Sequence, residues 1–304
     1  MAMNPKRKLA IIVVNYGSHE LLETNIAPVA GHTPDVSVVV VDNYTNRTER
    51  DAVASLVARR GWTLVAPETN LGFGAGMNLG VEAAAQAGAR AFLLINPDAT
   101  LGMSSLQLLR DAVEHNPMAV VAPRIVRSDG SIWFTGATVR MEDGETRGRR
   151  HASAALPPGE RRWLTGACLL ISLEMWQAAG GFDDRYFLYW EDVDFSFRVE
   201  AAGGALEVVE EATATHDEGG TQGSGPGSRA KSPVYYYYNI RNRLLFAAIH
   251  LNPDDRRRWK GSAIPAAWRI LLRGGRRQFL RPVRPVWAAV RGTWDGLTLL
   301  RRWS

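Results

Sequence analysis

Cysteine is almost missing from this chain. Cys168 is the only one in 304 residues, so no disulfide can form within the chain and a cysteine-built zinc site is excluded. A reducing compartment is the simplest reading. Long apolar runs are missing as well: no stretch approaches the roughly 18 residues that a membrane span needs. The start, Met1–Lys8, is short and basic. The apolar Leu9–Val14 that follows is too brief for a signal-peptide core and has no small-residue cleavage site, so it reads as a buried strand. Acid is scarce at one end only. From Arg256 onward thirteen Lys and Arg face a single acid, Asp295, a local charge of +12; the remainder carries −7, within a net +5. Five of the ten tryptophans lie in that basic stretch: Trp259, Trp268, Trp287, Trp294 and Trp303.

What is present is apolar, 46% of all residues, enough for one large domain or one domain with an appendage. Leu9–Val14 is followed by the turn residues Asn15-Tyr16-Gly17, with Ser18 as N-cap of a helix over roughly His19–Val29. Val36–Val41 is a second strand ending at Asp42-Asn43, and Arg47–Arg60 an amphipathic helix. Trp62–Ala66 reads as a strand, and a Gly-rich turn opens a helix over about Ala75–Ala87. Ala91–Ile95 is a strand stopped by Asn96-Pro97-Asp98; Ser104–Asn116 is a helix and Ala119–Ala122 a strand. Strands that are apolar throughout, alternating with helices, imply a parallel sheet covered on both faces. Ligands of such sheets bind beyond the C-terminal strand ends, where Asn15, Asp42, Asn96 and Asp98 fall. After Pro123 the pattern changes. Residues 125–150 read as hairpins turning at Ser128-Asp129-Gly130 and Asp143-Gly144, and Arg149–Glu160 as a mobile loop. Gly166–Ile171 reads as a strand, Leu173–Ala179 as a short helix, and Phe182–Gly203 as an aromatic cluster leading into a helix. Leu206–Val209 is a last strand, Gly219–Ser232 a flexible loop and Val234–His250 a helix. No internal repeat is present.

Several residues are candidates for chemistry, each with a plainer alternative. Asp42 suits hydrogen bonds from a base or a ribose hydroxyl; it equally suits a turn. The glycines of Asn70-Leu-Gly72-Phe-Gly74-Ala-Gly76-Met-Asn78 let backbone approach a phosphate at a helix N-terminus. They do not fit G-x-G-x-x-G, whose last glycine falls on Met77 or Leu79, and the turn follows the third strand instead of the first; a NAD enzyme is disfavoured. Asp98 offers oxygen to Mg²⁺ or Mn²⁺ bridging a diphosphate, or closes a Pro-Asp turn. Glu191, Asp192 and Asp194, behind Phe187-Leu-Tyr189-Trp190, are either acidic capping of a helix or a general base. Neighbouring carboxylates and an aromatic wall would raise the pKa of that base. Adjacent helical positions point about 100° apart, so Glu191 and Asp192 cannot do the same job. His216 is a third metal ligand, a phosphate contact or a packed histidine. Tyr235–Tyr238 with Asn239, Arg241, Asn242 and Arg243 either close a cleft or contact diphosphate, or pack on the domain.

Taken in order, these residues resemble the family-2 glycosyltransferases of the GT-A fold, particularly the bacterial rhamnosyltransferase-like subgroup. The resemblance rests on Val13-Val14-Asn15-Tyr16, Val40-Val41-Asp42-Asn43, Asn70-Leu71-Gly72-Phe73-Gly74 with Asn78, and Asn96-Pro97-Asp98. It continues through Thr165-Gly166-Ala167, Gly181-Phe182-Asp183, Trp190-Glu191-Asp192-Val193-Asp194 with Arg198, and His216. It implies an α/β, mostly parallel, doubly wound sheet. By the same resemblance the nucleotide-sugar is bound by Asn15, Tyr16, Asp42, Asn70, Gly72, Asn78, Asn96 and Asp98, and the nucleobase is held by Asp42. A divalent cation, Mg²⁺ or Mn²⁺, is implied at Asp98 with His216; Asn96 replaces the first acid of the family's D-x-D element, which leaves fewer charged ligands. Asp192 matches the catalytic base, supported by Glu191, with Trp190 and Asp194 on the acceptor side. Transfer would invert the anomeric carbon by direct displacement, from dTDP-rhamnose or a UDP-hexose to a hydroxyl of a glycan or lipid-linked acceptor.

The expected organisation is a glycosyltransferase domain over 1–250, with a nucleotide-sugar half to about 123 and a catalytic half beyond it, and a basic helical tail over 251–304. Interleaved Arg and Trp suit an anionic membrane surface, so the expected location is cytoplasmic, peripheral on the inner face of the cell membrane. A homo-oligomer contact and a solvated tail are the alternatives; nucleic acid is not expected, since no nucleic-acid motif accompanies the basic stretch. Two rival functions keep the fold: a sugar-phosphate nucleotidyltransferase, whose usual basic Gly-rich loop is not found at Asn15-Tyr16-Gly17-Ser18, and a non-catalytic nucleotide-sugar or membrane-binding protein.

Overall fold

The computed structural model describes residues 7–31, 35–149, 155–216, 231–275 and 283–302. The expected flexible loop over Gly219–Ser232 lies almost entirely outside these residues, as do part of the Arg149–Glu160 loop and Trp303.

The first half alternates as the pattern predicts. β1 (Leu9–Asn15) is buried along its whole length, as a strand covered on both faces must be. It pairs in parallel with β2 (Val36–Asp42) on one side and β4 (Ala91–Ile95) on the other; β3 (Thr63–Val65) extends the sheet beyond β2. The expected helix after β1 is broken into α1 (His19–Leu21), a π-helical turn (Leu22–Ile26) and α2 (Ala27–Ala30). Ser18 makes no side-chain cap; its hydroxyl and its N–H both donate to the Asn15 Oδ1 at 3.2 Å. α3 (Arg47–Arg60) is capped by Asn46, whose side chain accepts from the Glu49 N–H, and stops at left-handed Gly61, the usual end of a helix. α4 (Phe73–Gln86) starts two residues earlier than expected. A short strand, β5 (Ala99–Leu101), was not foreseen, and α5 (Met103–His115) follows.

The second half is longer-stranded than the sequence pattern suggests. β6 runs from Ala119 to Val126, through Pro123. Proline cannot donate to a ladder, so a partner must bend around it. β12 does so: it runs over Ala205–His216, not four residues, and its register on β6 shifts just after the Val209–Pro123 pair. Between them, β11 (Cys168–Ser172) inserts antiparallel to both β4 and β6. The order of the large sheet is β3-β2-β1-β4-β11-β6-β12-β5, with β7 (Ile132–Phe134) beside β6. The hairpin material forms a second sheet, β10 (Glu160–Trp163), β8 (Ala137–Arg140) and β9 (Thr146–Gly148), all antiparallel.

α6 (Leu173–Ala179) and α7 (Glu191–Ala201) complete the domain, and α8 (Pro233–His250) lies behind α7. The expected aromatic face of α8 packs inward: Tyr236 is buried, and Tyr238 stacks on Phe187 with centroids 5.2 Å apart. The basic segment forms α9 (Pro253–Gly261), α10 (Ala263–Leu272) and α11 (Val283–Arg302). These helices share a core with the domain. Trp259, expected in a headgroup layer, is fully buried among Trp190, Phe246 and Leu300, and its indole N–H donates to the Met141 carbonyl at 2.8 Å. α11 meets α8 through small residues: a side chain at Gly292 would lie 2.6 Å from the Tyr237 carbonyl oxygen, so no larger residue permits this approach.

Candidate active site

The strand ends of the large sheet collect the residues singled out above, and the structure divides them into two groups. The first group builds scaffold. Asn15 and Asp42 end β1 and β2 as direct partners in register. Both are fully buried. The Asn15 amide donates to Glu49 at 3.1 Å and Asp42 at 3.5 Å. Asp42 Oδ2 accepts from the Arg50 Nε at 2.8 Å, and the Arg50 guanidinium lies 4.6 Å over the Tyr44 ring. A nucleobase therefore does not meet the Asp42 carboxylate in this conformation. The surface offered at this end is aromatic: Tyr16 is 47% and Tyr44 38% exposed. Glu49 is a further member that the sequence reading missed. Burial pushes its carboxyl up, but hydrogen bonds from His19 and Asn15 outweigh that and hold it below the ordinary range.

The glycine turn has a different purpose from phosphate approach. Gly72 has φ +90°, and a Cβ there would lie 2.2 Å from the Phe187 carbonyl oxygen. The turn is pressed onto the segment that carries the acids, with the Phe73 N–H donating to that same oxygen at 2.9 Å. Asn70 accepts from the Gly72 N–H, and Asn43 clamps the turn from both sides, donating to the Gly72 carbonyl and accepting from the Leu71 N–H. Asn78 holds Phe182 by a pair of hydrogen bonds, 2.8 and 2.9 Å, and donates also to Asp184. Asn70 and Asn78 were expected to touch the nucleotide; the Asn70 side chain closes its own turn on Gly72, and that of Asn78 ties its helix to the 182–184 segment. Asp194, expected on the acceptor side, is fully buried and is gripped by Arg198 at 2.7 Å and His250 at 2.6 Å. No acceptor hydroxyl reaches it here. Trp190 is likewise buried, against Phe246 and Trp259.

The second group brings ionisable side chains together. β12 runs antiparallel to β5 with His216 opposite Ala99, and this brings His216 Nε2 to 3.0 Å from Asp98 Oδ1. The imidazole packs on Trp133 at 4.7 Å, and its Nδ1 is buried with no partner among the described residues. At the next strand end the Asn96 N–H donates to the Ala167 carbonyl at 2.9 Å, and the Gly166 N–H donates to Asp192 Oδ2 at 3.2 Å. One short stretch, 165–167, thus joins the Asp98 end of β4 to Asp192 on α7. The Val193 N–H donates to Asp192 Oδ1 at 2.8 Å. Burial raises the Asp192 carboxyl to about 6, and these two backbone donors limit the rise. Of the two causes the sequence pattern offered, neighbouring carboxylates and a burying wall, burial is the one that raises Asp192. Glu191 is also raised, by burial first and then by the charges of Asp192 and Asp194, and its Oε2 has no partner among the described residues.

The turn before these acids is strained. Tyr189 and Trp190 have φ +66° and +74°, a region that costs non-glycine residues on the order of 1–3 kcal/mol each. Asn242 of α8 donates to the carbonyls of both Leu188 and Tyr189, at 3.0 and 2.8 Å. It is the clamp that over-determines the turn, and sequence reading could name it only as one polar residue in a tyrosine-rich helix.

A profile described as glycosyltransferase-like family 2 matches residues 5–229. The chain belongs to glycosyltransferase family 2. Among curated proteins it is 31% identical over 249 residues to N-acetylglucosaminyl-diphospho-decaprenol L-rhamnosyltransferase of Mycobacterium tuberculosis, covering 72% of this chain and 79% of that one. It is 21% identical to the dTDP-rhamnosyl transferase RfbF of Shigella flexneri, over 68% and 69% of the two chains. Solved structures share the fold at low identity. GalNAc-T7 with UDP, GalNAc and Mn²⁺ superposes with TM-score 0.59 at 14% identity, over 86% of this chain and 55% of that one. The mannosyltransferase PcManGT of Pyrobaculum calidifontis, with GDP-Man and Mn²⁺, gives 0.56 at 14%, over 97% and 85%. The GT-A fold and the transfer of a sugar from a nucleotide-activated donor follow from family membership.

Proposed function

We propose that this family-2 enzyme is an inverting rhamnosyltransferase-type enzyme that moves a sugar from a nucleotide diphosphate to a hydroxyl of a lipid-linked glycan, with Asp192 as the base. The observation that carries the reading is the stretch 165–167, which hydrogen-bonds both to Asn96 at the end of β4, two residues before Asp98, and to the Asp192 carboxylate in the first turn of α7. The names of the relatives supply the sugar and the lipid diphosphate; Asp192 and Asp98 are supported by their placement.

The donor set at Asp98 fits a divalent cation. Asp98 Oδ1 and His216 Nε2, 3.0 Å apart, would be the protein's oxygen and nitrogen donors to it. Among the described residues no cluster of three or more His, Cys, Asp or Glu converges, so diphosphate oxygens and water would complete the shell. A cation held there would neutralise the departing diphosphate. Asp192, ionised above about pH 6, takes the proton of the attacking hydroxyl while the bond from C1 to the diphosphate breaks. Glu191, kept toward its neutral form, adds no second charge beside that base.

The outer faces of the last helices support attachment to an anionic membrane surface. Trp268, Trp287 and Trp294 are 53%, 61% and 70% exposed, in line with Ile264 and Leu272 on α10 and with Val283 and Val290 on α11. Arg284, Arg291, Arg301 and Arg302 border this stripe. No described helix is long and apolar enough to cross a membrane; one lying in the interface gains about 1 kcal/mol per basic residue.

A donor screen tests the reading. Purified protein with Mn²⁺ or Mg²⁺ is offered a panel of nucleotide-sugars, following thermal stabilisation and release of nucleoside diphosphate. A donor that stabilises wild type with metal but not Asp98→Ala, and that Asp192→Asn binds without turnover, supports it. No stabilisation by any nucleotide-sugar sinks it.

A further inference from the structure

Beside Trp190 lies a cavity of about 250 Å³, apart from the Asp98–His216 pair. Its lining includes Glu145, Trp190, Asn239, Arg243, Arg269 and Arg273, drawn from the β8–β9 hairpin, the start of α7, α8 and α10. The volume is below the ~300–1,000 Å³ of sites for drug-sized ligands, so it suits a headgroup instead of a nucleotide.

The charge around it is unbalanced. Glu145 is already held by Arg140 at 2.7 Å and Arg147 at 2.9 Å. Asp143 takes Arg140 and Arg269, each at 2.7 Å. Arg243 is 2% exposed, and its hydrogen bonds go only to neutral acceptors: the Asp143 and Trp259 carbonyls and the Ser262 hydroxyl. A buried guanidinium without a carboxylate partner is expensive to keep. Burial, with repulsion from Arg269, holds it down at about 9 even though Asp143 lies near. Arg273 is exposed, and its guanidinium hydrogen-bonds to Thr146.

The position of the cavity is as informative as its charge. Trp190 lies two residues before Asp192, so their Cα atoms are within about 7.6 Å. Arg269 and Arg273 each follow, by one residue, an exposed apolar residue of the α10 stripe, Trp268 and Leu272. The lining of the cavity therefore includes chain neighbours both of the proposed base and of the proposed membrane face. We propose that it receives the diphosphate of a lipid diphosphate acceptor, with Arg269 and Arg273 contacting phosphate oxygens and the Arg243 charge beneath them. The lipid chain leaves along Trp268 and Leu272, and the attached sugar reaches Asp192. This rests on the transferase reading above and assigns the acceptor its own anion site, apart from the donor diphosphate at Asp98.

The test is calorimetric titration of the full chain with farnesyl diphosphate, farnesyl monophosphate and inorganic pyrophosphate. It is run on wild type, Arg269→Gln/Arg273→Gln, Arg273→Gln alone and Asp98→Ala. Farnesyl diphosphate is expected to bind wild type and Asp98→Ala alike, tenfold or more weaker to the double variant and about threefold weaker to Arg273→Gln, whose exposed position leaves folding intact. The monophosphate and pyrophosphate bind more weakly than farnesyl diphosphate. Equal binding of farnesyl diphosphate to wild type and both arginine variants, or no binding to any, overturns the site. Pyrophosphate as tight as farnesyl diphosphate makes it a free-phosphate site and overturns the lipid assignment. Phosphatidylglycerol vesicles displacing farnesyl diphosphate at equal phosphate concentration make it a phospholipid headgroup site, with the same consequence. Nucleotide-sugar binding, read in parallel and expected unchanged in the arginine variants, reports on the donor reading separately.

Discussion

Replacing Asp192 by asparagine should make the protein more stable and nearly inactive. Burial holds this carboxyl near 6 against an ordinary 3.8. The folded chain thus binds a proton that the unfolded chain has released between these values, and stability falls as pH rises from about 4 to about 6. Above that window the ionised carboxylate costs the fold no more than about 3 kcal/mol, at 1.36 kcal/mol per unit; partial exposure of Asp192 reduces this to about 1–3 kcal/mol. Asparagine keeps the acceptor for the Gly166 N–H and carries no charge. Melting of Asp192→Asn at pH 7.5 should therefore rise by a few degrees, at roughly 2–4 °C per kcal/mol, and match wild type at pH 4. Transfer needs the ionised form. For wild type, kcat/KM for the acceptor should fall about tenfold from pH 7 to pH 5, as the ionised fraction falls. The asparagine variant should lose on the order of 10²–10⁴ in kcat with donor affinity unchanged. The assay is nucleoside diphosphate release with acceptor present, beside calorimetric melting across pH. A variant that transfers at wild-type rate, or that melts lower than wild type at pH 7.5, would refute the assignment.

Four further outcomes are expected. Asn242→Ala removes the amide from the Leu188 and Tyr189 carbonyls, costing about 1–3 kcal/mol; kcat should fall more than donor KM rises, because the strained turn is released, and steady-state kinetics separates the two. Gly72→Ala forces a Cβ against the Phe187 carbonyl at positive φ and should lose at least ~3 kcal/mol, seen in urea unfolding. Trp259→Ala should lose about 3–5 kcal/mol, as a core residue does, where a detached tail would show no change. Asp98→Ala and His216→Ala should each abolish stimulation of turnover by Mn²⁺; in melting measured in EDTA, Asp98→Ala, which removes one hydrogen bond, should cost about 1 kcal/mol, and His216→Ala, which also removes a buried ring packed on Trp133, about 2–5 kcal/mol.

The nucleotide-sugar half of the fold was legible because its signals are local. Buried parallel strands read as unbroken apolar runs, and each run stops at a polar residue where the chain leaves the sheet. The second half was less legible because its structure depends on partners distant in sequence. β12 is twelve residues long, yet Glu207, Glu210 and Glu211 interrupt its apolar pattern, since one face of that end is open to water. β6 passes through Pro123 only because β12 bulges opposite it. The burial of Trp259 follows from Phe246 and Trp190, which no window around residue 259 contains.

Within the site, motif position did not separate scaffold from chemistry, because both need the same residue types at strand ends. Asn70, Asn78 and Asp42 sit where nucleotide contacts were expected, and the side chain of each makes hydrogen bonds within the protein. Buried polar groups in a folded chain are almost always paired, so an unpaired one is the informative exception. At these strand ends the exceptions are His216 Nδ1 and Glu191 Oε2, next to Asp98 and Asp192, the latter held well above its ordinary range. An acid that only caps a helix has its pKa lowered by the helix N-terminus; Asp192 moves the other way despite two backbone donors. That direction runs against simple capping, the alternative the sequence left open, and is the one the general base proposed above requires.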